Sequence, residues 1–168
     1  QDPHVVTSAT VTVKATSDSA PAHGTWTWGA RGWWYRYADG TYPSNTAKTI
    51  DGQVYRFDAD GYMRTGWVFE RGSWYYHALS GAQATGWVLD GVSWYYLTPG
   101  TGQMATGWVK DGSHWYYLNP ANGKMKTGWH YEDGSWYYLK PGSGQMATGR
   151  LWIVWKYYRF ADNGTLIR

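Results

Sequence analysis

Four consecutive stretches of this chain are near-copies of one another, and a repeat of that length leaves few folds open. They read GWVFERGSWYYHALSGAQAT (66–85), GWVLDGVSWYYLTPGTGQMAT (86–106), GWVKDGSHWYYLNPANGKMKT (107–127) and GWHYEDGSWYYLKPGSGQMAT (128–148). The GW tryptophans are Trp67, Trp87, Trp108 and Trp129, and the WYY triplets begin at Trp74, Trp94, Trp115 and Trp136. Both series step by 20, 21 and 21 residues. A unit this short cannot bury a face alone, so the copies must stack into one continuous array.

Each copy reads as a β-hairpin. A short aromatic run (GWV or GWH) meets a glycine turn, and a second run (WYYL or WYYH) follows. The turns are expected to centre on Arg71-Gly72, Asp90-Gly91, Asp111-Gly112 and Asp133-Gly134, because glycine accepts the positive φ of a tight turn. Pro- and Gly-rich connections such as Thr98-Pro99-Gly100 carry the chain onward. One hairpin is marginal in water, whereas stacking shields the rings of two neighbours at once. The expected fold is therefore all-β, a solenoid of tandem β-hairpins over residues 26–168.

The flanks (26–65 and 149–168) read as degenerate units, as expected of the ends of an array. Residues 50–66 keep the turn and the GxMxTG tail, with Val54 in place of the second tryptophan. Gly32–Tyr42 reads as a longer variant hairpin. Near the end, Arg150 replaces the GW tryptophan and the run 156–160 replaces WYYL. Residues 1–25 read as a linker or the tail of a preceding domain, with Val11–Lys14 as a candidate edge strand.

The core cannot be aliphatic, since 14 Trp and 16 Tyr outweigh the few Leu, Ile and Val. Burial must come from large amphipathic rings that keep a polar edge near water. No run approaches the roughly 18–20 apolar residues of a membrane span. The net charge of +3 and pI of about 9.0 come from scattered Lys and Arg, so no nucleic-acid stripe is expected. The sequence has no cysteine, so it holds no disulfide.

The pattern GWxxxxGxWYYLxxxxGxMxTGW over about residues 30–168 resembles the choline-binding, or cell-wall-binding, repeat of Gram-positive surface proteins and phage lysins. The resemblance implies a left-handed superhelix with a choline headgroup between neighbouring hairpins, held by two tryptophans of one repeat and a tyrosine of the next. It also implies a secreted, surface-associated protein that docks on phosphocholine of teichoic or lipoteichoic acid. An attached wall hydrolase or adhesin and choline-promoted homodimers belong to the same expectation.

Physical chemistry supports such a site independently. A quaternary ammonium has no N–H to donate, so ring faces must read it, at about 0.5–2 kcal/mol per cation–π contact. Side chains alternate along a strand, so if the tryptophans look forward the first tyrosine of WYY looks back. The expected cages are Trp67, Trp74 and Tyr95; Trp87, Trp94 and Tyr116; Trp108, Trp115 and Tyr137; and Trp129, Trp136 and Tyr157. A different strand register would substitute the second tyrosine, which otherwise fills the solenoid axis. Met104, Met125 and Met146 are candidates for the floors. Gln83 breaks that series, and non-aromatic residues near Lys48 and Val54 predict no matching cage just upstream of Trp67.

No catalytic, metal or cofactor site is expected. A glycosidase needs two carboxylates across a cleft, and the glutamates, Glu70 and Glu132, fall at equivalent positions of separate hairpins. The aspartates of the turns are read as turn formers, and His77, His114 and His130 show no ligand spacing. A catalytic domain preceding residue 1 is compatible with this reading. Two other readings remain: glucan or other glycan binding by the same rings, and a host-facing adhesion module that meets a protein.

Overall fold

The computed structural model describes residues 23–167, and its regular structure is β throughout. Residues 1–22, including the candidate edge strand Val11–Lys14, lie outside the described residues. Among the described residues the chain forms seven antiparallel hairpins in succession. The first three are β1 (Thr25–Gly29) with β2 (Gly32–Arg36), β3 (Thr46–Ile50) with β4 (Gln53–Phe57), and β5 (Gly66–Glu70) with β6 (Ser73–His77). Next come β7 (Gly86–Asp90) with β8 (Ser93–Leu97), β9 (Gly107–Asp111) with β10 (His114–Leu118), and β11 (Gly128–Glu132) with β12 (Ser135–Leu139). The seventh pairs β13 (Gly149–Ile153) with β14 (Lys156–Phe160), and β15 (Leu166–Ile167) adds to β14. No helix of the described residues is long and apolar enough to cross a membrane.

The hairpin turns hold two residues. Arg71-Gly72 and Asp133-Gly134 both have positive φ, at 49° and 78° and at 47° and 77°, the signature of the hairpin turn whose twist suits the strands. Two other turns lie one residue later than the glycine signal indicated. Asp90 pairs with Ser93 and Asp111 with His114, so the loops are Gly91-Val92 and Gly112-Ser113. Asp90 and Asp111 therefore end their strands, in register with Glu70 and Glu132, and their side chains are free for other work. The first hairpin differs more. Gly32 opens its second strand rather than its first, opposite Gly29, because Thr25–Gly29 supplies a strand with tryptophans of its own.

Tails stitch one hairpin to the one before it. Met104 bridges Leu97 of its own unit, while its N–H donates to the carbonyl of Trp74 one hairpin earlier at 2.8 Å. Met125 to Trp94 and Met146 to Trp115 repeat this bond at 2.8 Å. Met63 to Trp33 and Gln83 to Val54 extend it upstream at 2.7 and 2.8 Å. Contrary to the expectation of an axis filled by the second tyrosines and a core without aliphatics, the axis is lined by Phe57, His77, Leu97, Leu118, Leu139 and Phe160, all at most 2% exposed. The reason is that the last residue of each second strand turns inward, where the polar edge of a ring would find no water. Two second tyrosines, Tyr96 and Tyr117, flank it and are buried as well.

Candidate functional site

The registers decide which rings share a face. Trp67 lies opposite Tyr76, and Phe69 opposite Trp74, so Trp67, Trp74 and Tyr76 stand on one face while Tyr75 stands on the other. The same pairing in the next hairpin turns Tyr95 backward. Trp67 accordingly meets Trp74 at 6.4 Å and 86° and Tyr95 at 4.8 Å and 65°. Trp87 meets Trp94 at 6.5 Å and 84° and Tyr116 at 4.7 Å. Trp108 meets Tyr137 at 4.9 Å, with Trp115 at the corresponding register position opposite Lys110. The backward-facing tyrosine is thus the first of each WYY triplet, while the second packs beside its own tryptophan at 5.0–5.1 Å.

In the fourth constellation Trp129 and Trp136 meet at 6.1 Å and 89°, but their tyrosine is Tyr158, 4.9 Å from Trp129. Tyr157 is not part of it. Lys156 pairs with Ile153 and Tyr157 with Trp152, which puts Tyr157 in the position of a WYY tryptophan, on the forward face. There it packs on Trp152 at 4.5 Å and under the Arg150 guanidinium at 4.0 Å. Leu166 takes the tail position of the methionines, and with Trp129 and Trp136 it borders a cavity of about 330 Å³. The methionine sulfurs lie against the next tail: a Cβ on Gly123 would come within 2.4 Å of Met104 Sδ.

Sequence reasoning missed a further constellation at the start of the array. Trp26 meets Tyr55 at 4.8 Å and 60° and Tyr35 at 5.1 Å, nearly the geometry of Trp67 with Tyr95 and Tyr76. Trp33 stands at the position of Trp74, and Met63 donates to its carbonyl. The usable signal was the seven-residue step from Trp26 to Trp33, equal to that from Trp67 to Trp74. It was hidden because Gly32-Trp33 imitates a GW strand start. Between this constellation and Trp67 the positions are Ala47 and Val54, so the series is interrupted once; Lys48 is one residue out of register. Gln83 belongs to that interruption rather than to the sites built on Trp67 or Trp87.

The strand-end carboxylates act on the tryptophans. Trp67 Nε1 donates to Asp90 at 2.9 Å, Trp87 to Asp111 at 3.0 Å and Trp108 to Glu132 at 2.5 Å. Tyr96 and Tyr117 donate to the same two acceptors, Asp111 and Glu132, at 3.4 and 2.8 Å. Burial alone would raise the Glu132 carboxyl, but the bonds from Tyr117 and Trp108 together with neighbouring His130 hold it below the ordinary value. Each carboxylate fixes an indole edge and brings negative charge beside the rings. Asp90 and Asp111 are therefore more than turn formers; the sequence signal was the Trp-x-x-Asp/Glu spacing in all four copies. The three histidines without ligand spacing fall in different environments. His77 and His130 are buried, whereas His114 is exposed.

Chemically, each constellation offers ring faces on three sides, and those built on Trp67, Trp87 and Trp108 also have a carboxylate at the back. Trp74, Trp94, Trp115 and Trp136 keep 40–43% exposure, which separates them from a core that would hide them. The family model for the choline-binding repeat matches residues 45–82, 71–106 and 105–151. The structure is similar to that of CbpJ from Streptococcus pneumoniae TIGR4, with a TM-score of 0.78 and 36% identity over 84% of this chain and 51% of that one. It is similar also to choline binding protein F from Streptococcus pneumoniae, with a TM-score of 0.77 and 34% identity over 87% and 52%. The endolysin from phage Cp-1 complexed with choline matches at 0.56 and 37% over 82% and 41%. This chain thus spans about half the length of the first two. No curated protein matches it. Since the repeat model covers well over half of its residues, the chain belongs to the choline-binding repeat family.

Proposed function

We propose that this chain is a choline-recognising, cell-wall-binding module that holds choline headgroups in the ring constellations between hairpins. The observation that carries the reading is the recurrence of one geometry: a forward tryptophan 4.7–4.9 Å from the backward tyrosine of the next hairpin. The cages on this reading are Trp67, Trp74 and Tyr95; Trp87, Trp94 and Tyr116; Trp108, Trp115 and Tyr137; Trp129, Trp136 and Tyr158; and Trp26, Trp33 and Tyr55. A trimethylammonium group fits such a box because its charge is spread over methyls that lie against ring faces, and no N–H needs an acceptor. The carboxylates of Asp90, Asp111 and Glu132 add attraction without touching the ligand.

Each cage alone binds with an affinity on the order of millimolar. A polymer that presents many cholines engages several at once, and the effective concentration of the second event raises the total by orders of magnitude. Teichoic acid bearing phosphocholine is the polymer of this kind, which places the module on the cell surface and gives it an anchoring role for whatever adjoins it. The test is retention on a choline- or DEAE-derivatised resin. Elution by free choline, with none by sodium chloride of equal strength, is expected; passage straight through the resin removes choline as the ligand. Trp108→Ala should then weaken retention and leave the other cages working.

A further inference from the structure

The interruption between the second and third hairpins is not a collapsed cage. Ala47 and Val54 stand where the two tryptophans would be, and only the backward-facing Tyr75 of the three rings remains. The small side chains leave a cavity of about 280 Å³, near the low end of small-ligand pockets. Arg56 occupies the position of the second tyrosine, and its Nη1 lies 2.8 Å from Glu70 Oε1 with only 13% of its side chain exposed. Glu70 thus spends its carboxylate on Arg56 where Asp90, Asp111 and Glu132 take an indole.

The lining chemistry selects the ligand. A quaternary ammonium is excluded, because one ring cannot cage it and Arg56 repels it. An anion is disfavoured on the other side. Glu70 faces the cavity, and His77 donates its Nδ1–H to Gly81 O at 2.9 Å, which makes Nε2 an acceptor in the neutral ring. Gln83 donates its amide N–H to Thr101 O at 3.2 Å, leaving its carbonyl as a further acceptor. Arg71 also borders the cavity, at its exposed rim with Nε 3.8 Å from the same Glu70 oxygen, while deeper in the gap the Arg56–Glu70 pair sets a donor fork beside an acceptor. Vicinal hydroxyls complement that arrangement, since one oxygen accepts from guanidinium while its neighbour donates to carboxylate. Tyr75 supplies a face on which the C–H side of a ring can stack.

We propose that this gap is a separate subsite for one neutral, hydroxyl-rich sugar ring of the wall polymers. Two sources carry that chemistry: the glycan strands of the wall and the sugars of the teichoic chain. The subsite stands on its own residues and does not rest on the choline reading. A module with both kinds of site would read choline on either side of a sugar and so register the polymer rather than the headgroup alone.

The experiment is an NMR titration of the ¹⁵N-labelled full chain with choline in excess throughout. One arm adds chitotetraose as a neutral glycan probe, and the other adds a dephosphorylated, choline-free teichoic repeat oligosaccharide. Shifts at Arg56 Nε–H and the Gln83 side-chain amide, with the Trp67 and Trp74 indoles still, are expected in at least one arm and name the source. Glu70→Gln should weaken that response about tenfold or more, and Ala47→Trp should abolish it by filling the cavity. Both variants should keep choline-resin retention, which reports the cages separately. Silence of the Arg56 and Gln83 signals up to about 20 mM of both probes, or shifts confined to the indoles, overturns the proposal. So does inorganic phosphate moving Arg56 as far as the sugar does, which would make the gap an anion site.

Discussion

The indole N–H of Trp87 and the hydroxyl of Tyr96 both converge on Asp111, which belongs to the next hairpin. A neutral hydrogen bond contributes about 0.5–1.5 kcal/mol net and one to a charged group about twice that, so the carboxylate sets the angle of a cage wall at a meaningful energy. Asp111→Ala should therefore weaken choline at the Trp87 cage by about three- to tenfold, with little change elsewhere. The Trp87 indole signal followed during choline titration measures this site alone. An unchanged midpoint for Trp87 would mean that packing against Tyr96 and Tyr116 is enough to hold the ring. Asp111→Asn, which keeps an acceptor but loses the charge, separates positioning from electrostatic attraction. These roles are legible as a Trp-x-x-Asp/Glu spacing, yet turn chemistry already accounts for an Asp-Gly pair, so local sequence gives the side chain no further role. Only the strand register, with Asp111 opposite His114, moves it out of the turn.

The unit of construction is a hairpin plus the tail that returns to its predecessor, and glycine controls how closely successive tails approach. Gly123 has a φ of +73°, and a Cβ there would stand 2.4 Å from Met104 Sδ. Gly112, in a hairpin turn, has a φ of +58° with nothing within 4 Å of such a Cβ. Both substitutions to alanine incur backbone strain of about 1–2 kcal/mol, but Gly123→Ala should cost about 1–2 kcal/mol more through the clash. Thermal unfolding of the two variants measures the difference. Met104→Ala should recover most of that excess, a non-additivity expected of groups in contact. Equal losses for Gly112→Ala and Gly123→Ala would show that the thioether swings aside freely. The GxM motif was visible in the sequence as a repeat. Its partner was not, because the methionine of one tail meets the glycine of the next, roughly twenty residues on.

Over the whole array, two histidines interrupt an otherwise apolar scheme. His77 sits on the axis where other hairpins have Leu97, Leu118 and Leu139, and His130 replaces the valines that follow the other GW tryptophans. Burial lowers both below the ordinary histidine value of 6.5; nearby Lys126 adds to this at His130, and Arg56 and Arg64 add to it at His77. Lys126 donates to His130 Nδ1 at 3.1 Å, so Nε2 carries the proton, 3.6 Å from Glu132 and without a hydrogen bond. The unfolded chain then binds more protons than the folded one below about pH 6.5, so stability is full above that pH and falls as the solution is acidified toward the folded values. Melting temperature should drop between about pH 7 and 5, and His77→Leu with His130→Val should flatten the profile; a profile unchanged by both substitutions would assign the loss to other groups. The sequence alone determined the hairpin unit, its period, the stacking of units and the alternation that aims two tryptophans forward and one tyrosine back, because these follow from local turn chemistry and a two-residue strand period. Register and the return of the tails were decided only in three dimensions. They place Tyr158 rather than Tyr157 at Trp129, assemble Trp26 with Tyr55, and pair Arg56 with Glu70. Each of these depends on which residue of one hairpin lies against which residue of another, and no local propensity encodes that.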